Sequence, residues 1–159
     1  MRWDIKVKSM ILKKINEVSI TDVVILSYLI GSVKKSLRGK IRLQKLVFLA
    51  QSEFNGNFDF RFQPAQFGPL SYKLNHTINH AKKLGLIEET VGKTSLGNDV
   101  FCYTLTDDGI DFVSYGIATK KIRKKTQNAL TKAAINYGNM LYGELLDYVH
   151  DKYPEYVRE

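Results

Sequence analysis

The stretch Phe67–Ile87 constrains the fold most, because it reads as one helix with both ends marked in the sequence. Gly68-Pro69 stops whatever precedes it, Ser71 can cap the first turn, and Gly85 suits the left-handed residue that closes the last. Leu74, Ile78, Ala81 and Leu84 recur with the 3.6-residue period, so they form a stripe that must be buried. Tyr72, Lys73, His76, Asn79, His80 and Lys83 fall on the opposite side, which carries no carboxylate. Leu86-Ile87-Glu88-Glu89 and a glycine-flanked turn follow at once.

The rest of the chain is read around that helix. Thr21-Asp22 is placed to cap an apolar helix, Val23–Ile30, and a second helix spans about 41–54 with Leu43, Leu46, Val47, Leu49 and Ala50 buried. Between Lys34 and Lys45 the sequence holds six cations and no anion, among them Lys40 and Arg42. That run is either a solvated basic loop or a set of phosphate contacts. Asn55-Gly56-Asn57 is a turn, and Phe58–Phe62 alternates strictly, which predicts a half-buried strand. Residues 87–91 and 100–105 read as two strands joined by a long hairpin loop, with Lys93, Thr94 and Ser95 near its tip. Asp107-Asp108 stands where the next helix needs its N-cap.

From Thr119 the composition shifts. Lys120, Lys121, Arg123, Lys124 and Lys125 form a basic run without a compensating acid. Leu130, Ala134, Tyr137, Leu141, Leu145 and Tyr148 then keep a helical seam, with Gly138 and Gly143 against one unbroken helix. The tail is acidic through Glu144, Asp147, Asp151, Glu155 and Glu159. Residues 5–18 are basic and amphipathic, and either dock on the body or serve as a dimer arm. The chain thus divides into an N-terminal segment (1–18), a central domain (19–116) and a helical extension (117–159).

With 24 Lys+Arg against 16 Asp+Glu the formal charge is +8, which favours phosphate-rich or anionic partners. Cys102 alone allows neither an internal disulfide nor a thiolate zinc cluster, and reads as a small buried hydrophobe. No apolar run is long enough for a bilayer and no signal region precedes the first helix, so a cytoplasmic protein is expected. His76 and His80 share a helix face, but two ligands do not make a metal site. Phosphate loop, nucleophile elbow and Cys/His pairing are all missing, so neither an enzyme nor a cofactor is expected.

A polar helix followed by a glycine-flanked hairpin is the order of a recognition helix and its wing. Tyr103-x-Leu105-Thr106-x-x-Gly109 resembles the strand-to-helix exit of PadR-like and MarR-like winged-helix regulators. Leu43-Gln44-Lys45-Leu46-x-x-Leu49-Ala50-Gln51, followed by Phe67-Gly68-Pro69, resembles the core of Panacea-type domains and of uncharacterised archaeal winged-helix-like proteins. The first resemblance implies dimeric operator binding; the second implies an antitoxin or adaptor that holds a partner protein.

The expectation is therefore an α+β winged helix-turn-helix with additional N- and C-terminal helices, a homodimer that binds duplex DNA and regulates transcription. Tyr72, Lys73, His76, Asn79, His80 and Lys83 would enter the major groove, while Lys93, Thr94 and Ser95 touch the adjacent backbone or minor groove. Lys40, Arg42, Lys120, Lys121, Arg123, Lys124 and Lys125 would hold phosphates. The alternative is a protein-interaction module that uses Phe58–Phe62 or the acidic tail. A third option is RNA binding.

Overall fold

The computed structural model describes residues 19–158, so the amphipathic segment 5–18 lies outside the described residues. The fold is α+β. In chain order the elements are α1 (Ile20–Ser32), β1 (Leu37–Arg38), α2 (Lys40–Glu53), α3 (Tyr72–Lys83), β2 (Ile87–Lys93), β3 (Asp99–Leu105), α4 (Asp107–Ala118), α5 (Lys124–Tyr137) and α6 (Tyr142–Lys152). A single 3-10 turn, Pro154–Tyr156, follows α6. The strands form an antiparallel sheet in the order β1-β3-β2, with Leu37 opposite Tyr103 and Ile87 opposite Leu105.

Two helices are buried on nearly every side and form the centre. Val23 to Leu26, Leu29 and Ile30 of α1 are buried, as is every residue of α2 from Arg42 to Ala50. α5 adds Ala129, Leu130, Ala133 and Ala134 to the same core, and Ile122 from the preceding link joins them. The seam expected across residues 130–148 divides into two helices, because the chain turns between Tyr137 and Tyr142 and leaves Leu141 69% exposed. α6 packs separately, with Leu145 and Val149 against Phe48 and Leu49 of α2.

Several local expectations change for physical reasons. α1 starts at Ile20, before Thr21, and Asp22 lies inside its first turn, 3% exposed, ion-paired with Lys73 instead of capping. α4 is capped by Thr106, whose hydroxyl accepts from Gly109 N at 3.0 Å, while Asp107 and Asp108 occupy the first turn. Phe58–Phe62 keeps its alternation of burial, with Phe60 1% exposed, but no strand forms there. The segment lies on α2, where Gln51 Nε2 donates to Phe60 O, and its residues are absent from every strand ladder. Cys102 is a free, buried thiol, as its apolar neighbours predict.

Candidate nucleic-acid interface

α3 is fastened at its start by α2. Ser71 accepts from Leu74 N at 3.2 Å, closing the N-cap. Gln44 then grips the cap residue on both backbone sides, accepting from Ser71 N at 2.9 Å and donating to Ser71 O at 3.0 Å and Asn75 Oδ1 at 2.8 Å. A buried glutamine that satisfies both its oxygen and its nitrogen fixes the position of the cap directionally, which an apolar contact does not. Gly85 closes the helix with φ +72°, the left-handed conformation that a residue with a β-carbon rarely adopts. Leu74, Ile78 and Ala81 face the core, and Leu84 is half-buried.

The outward side of α3 presents Tyr72, His76, Asn79 and Lys83, all exposed, with His80 half-buried. Tyr72 is 59% exposed. Lys73 also reaches the surface, yet it is engaged: its Nζ lies 3.1 Å from Asp22 Oδ2, 3.2 Å from Asp59 Oδ1 and 5.5 Å from the centre of the Phe60 ring. Burial alone would lower the Lys73 pKa, but the two carboxylates outweigh it and hold the amine above its ordinary value. Burial likewise raises Asp22 despite Lys73. Moving Lys73 onto a phosphate would leave Asp22 buried without its cation, so Lys73 serves the fold.

Arg42 departs further from the sequence reading. It is 8% exposed, and its guanidinium donates to the carbonyls of Arg38, Gly138 and Met140. It therefore ties α2 to the α5–α6 link and satisfies carbonyls that the end of α5 leaves without helical partners. Desolvation, with Arg38 adding repulsion, lowers its pKa. Lys93 belongs to β2 and is ion-paired with Asp99 across the hairpin. The hairpin tip is narrower than expected, spanning Thr94 to Asn98. Thr94 organises it, since its N–H donates to Asn98 O at 2.8 Å and its hydroxyl accepts from Asn98 N at 3.1 Å. Ser95 is exposed at that tip beside Leu96, which is 86% exposed.

Lys40, the first residue of α2, is exposed and stands 4.8 Å over the Phe101 ring of β3. Beside it, Lys82 pairs with Glu89 at 2.9 Å, and Tyr103 donates to the other Glu89 oxygen at 2.7 Å. Burial pushes Glu89 up, but Lys82, Tyr103 and the nearby Lys40 hold it below the usual carboxylate range. The hairpin is thus locked to the C-terminal half of α3. Val91 and Phe101, paired across the strands, are 60% and 39% exposed.

Lys120, Lys121, Arg123, Lys124 and Lys125 are all exposed but gather elsewhere. Their link lines a cleft with Thr21 and Ile25 of the first turns of α1, whereas the hairpin projects beyond the other end of that helix. The structure therefore brings Tyr72, His76, Asn79, His80 and Lys83 together on α3 and keeps Lys40 and the hairpin on their flank, while the 120–125 run lies toward the start of α1.

Two features escaped the sequence reading as site chemistry. Lys45 is 1% exposed and donates to Phe67 O, so the Gln44-Lys45 pair and the Phe67-Gly68-Pro69 turn form one unit under α3. Glu53, at the end of α2, accepts from Tyr137, Tyr148, Tyr153 and Lys152. The signal for the first was the paired occurrence of the two short motifs; the second has no local signal, because its donors are distant in the chain. Among the described residues no group of three His, Cys, Asp or Glu side chains lies close enough to hold a metal ion, and no helix is long and apolar enough to cross a membrane. No family model matches the chain, and no curated protein matches it.

Proposed function

We propose that this protein is a winged-helix DNA-binding protein, with α3 as the recognition helix, the β2–β3 hairpin as the wing, and a role in transcriptional regulation. The observation that carries the reading is the outward face of α3: Tyr72, His76, Asn79 and Lys83 are exposed with no carboxylate among them, and Lys40 and a three-stranded sheet flank it. The element order α1-β1-α2-α3-β2-β3 and the sheet order β1-β3-β2 suit that fold. Tyr72, His76, Asn79, His80 and Lys83 would meet base edges and Lys40 a phosphate. Thr94 and Ser95 would reach the adjacent backbone. Lys73, Arg42 and Lys93 leave this set because their partners within the chain hold them. A homodimer through the C-terminal helices is part of the proposal, and the exposed Ile135, Leu141 and Tyr142 supply its apolar surface.

The test is anisotropy with labelled duplex DNA at about 50 and 200 mM salt, using wild type and a His76→Ala/Lys83→Ala variant. Wild type should bind more tightly at the lower salt, and the variant about tenfold less tightly, one good polar contact being worth about 1–3 kcal/mol. Absent binding at low salt, or equal binding by the variant, ends this reading.

One observation favours a second reading, a protein-interaction module of adaptor or antitoxin type. The 120–125 cations gather at the start of α1, and Lys73, Lys82 and Lys93 are neutralised by carboxylates, which leaves less free charge beside α3 than its sequence promised. On this reading Phe67 and Tyr72, 47% and 59% exposed on either side of the Gly68-Pro69 turn, take the place of the half-buried Phe58–Phe62 as contact residues.

A further inference from the structure

We propose that the cleft between the start of α1, the Asn57 turn and the α4–α5 link is a binding site for a small molecule bearing a terminal phosphate. It has a volume of about 290 Å³, and its walls include Thr21, Asn57, Lys120, Lys121, Arg123 and Thr126. That size is near the lower end of small-molecule sites and ample for a phosphate with part of its bearer.

Four features of the cleft and the helix that starts beside it favour an anion. α5 begins here without a side-chain cap, so the N–H groups of Lys124, Lys125 and Thr126 have no helical acceptor; Gln127 N is the first to bond back, to Arg123 O at 3.0 Å. A helix of 14 residues adds its positive dipole end at the same place. Thr126 is only 3% exposed and faces the cleft, and its hydroxyl forms no hydrogen bond among the described residues. That hydroxyl opens on the cleft and can donate to an acceptor held there. Finally, no carboxylate among the described residues lines the cleft, and the nearby acids Asp22 and Asp59 are both turned to Lys73.

The link is preformed. Lys121 N donates to Gly116 O at 2.8 Å and Lys120 N to Ile117 O at 3.2 Å, the paired bonds of a Schellman closure. Ile122, 3% exposed, plugs into the core and leaves Lys121 and Arg123 pointing outward on either side of it. A merely solvated basic loop would account for the cations. It would not account for a recess with an uncapped helix start and an unpartnered threonine hydroxyl on its wall. Several donors along the cleft wall, from Lys120, Lys121, Arg123 and Thr126, suit a phosphate monoester, which carries a charge of about −1.5 to −2 and three acceptor oxygens, better than a carboxylate.

The site shares no residue with the proposed DNA-binding surface and does not depend on it. The test follows amide shifts of the full-length 15N-labelled chain during titration with inorganic pyrophosphate, with AMP and with duplex DNA. Pyrophosphate or AMP should give saturable shifts confined to residues 120–127, Thr21 and Asn57, unchanged in the His76→Ala/Lys83→Ala variant. Arg123→Ala and Thr126→Val should each weaken binding about tenfold, the loss expected for one charge-assisted bond, with Thr126→Ser restoring it. Linear shifts spread over all lysines, or undiminished affinity in Arg123→Ala or in Thr126→Val, would overturn the proposal. So would shifts at these amides with duplex DNA alone, which would make the cleft a backbone contact. Loss of duplex binding through α3 leaves the pyrophosphate result intact, so the two readings fail independently.

Discussion

Lys45 carries an amine into the interior, with 1% of its surface exposed and Phe67 O as its hydrogen-bond acceptor. Gly68 makes room for it: a β-carbon there would stand 3.1 Å from Lys45 Nζ and 3.8 Å from His150 Nε2, and φ is +104°. Burial disfavours the ammonium and pushes its pKa down from 10.5 to about 8. The sign follows from proton counting. Between about pH 8 and 10.5 the unfolded chain holds a proton on Lys45 that the folded chain has released, so stability rises with pH across that window. Comparison with Lys45→Met isolates the effect from other titrating groups. Urea unfolding at pH 7.5 and 9.5 should show wild type gaining about 2 kcal/mol on the variant over that interval. A pH-independent difference would mean that Lys45 stays charged when buried.

At the scale of elements, Glu53 holds three pieces together. Its carboxylate, 8% exposed, closes the end of α2 by accepting from Tyr137 of α5, Tyr148 and Lys152 of α6, and Tyr153 beyond them. Burial would raise its pKa, but the bonds from Lys152 and the three tyrosines prevail and lower it. The charged form is therefore favoured in the fold, and the stability it adds is present above the ordinary value of 4.5 and is lost as pH falls through the lowered one. Glu53→Ala removes the common acceptor of four donors and should cost about 2–3 kcal/mol, a fall in Tm of about 8 °C in calorimetry at neutral pH. At pH 3 the penalty should shrink.

Elements differ in how much of themselves the sequence displays. α3 was readable to within a few residues because its cap, its left-handed stop and its apolar stripe are all local. The Phe58–Phe62 alternation was readable as burial and misleading as a strand. Alternation reports which side chains face inward, while a strand also needs a neighbouring strand, and this segment lies on α2 instead, with Gln51 Nε2 donating to Phe60 O. The engagement of Lys73 and Arg42 depended on Asp22, Asp59 and the α5–α6 link, partners brought near only by tertiary packing.

For the whole molecule, the question is whether residues after Thr119 extend a finished domain or complete it. α5 is wedged between α1 and α2, with Leu130 and Ala133 fully buried and the Tyr28 hydroxyl bonded to Thr131 Oγ1 at 3.0 Å. Without α5, the apolar sides of α1 and α2 that it covers would face water, and no other described element is free to replace it. Each buried aliphatic side chain lost there removes about 1.5–3 kcal/mol, so the deficit would approach the whole stability of a small domain. A chain ending at Thr119 should therefore lack a cooperative urea transition and dispersed amide resonances, and Leu130→Ala in the full chain should cost about 3 kcal/mol. If the shortened chain unfolds cooperatively at the same midpoint as the full one, α5 is an appendage and the core ends with α4. Because the same helix begins at the basic cleft and holds the α1–α2 pair that carries α3, its integrity also governs the α3 surface. Leu130→Ala should then weaken duplex binding only near its own melting temperature, not at 10 °C, whereas His76→Ala/Lys83→Ala should weaken it at both.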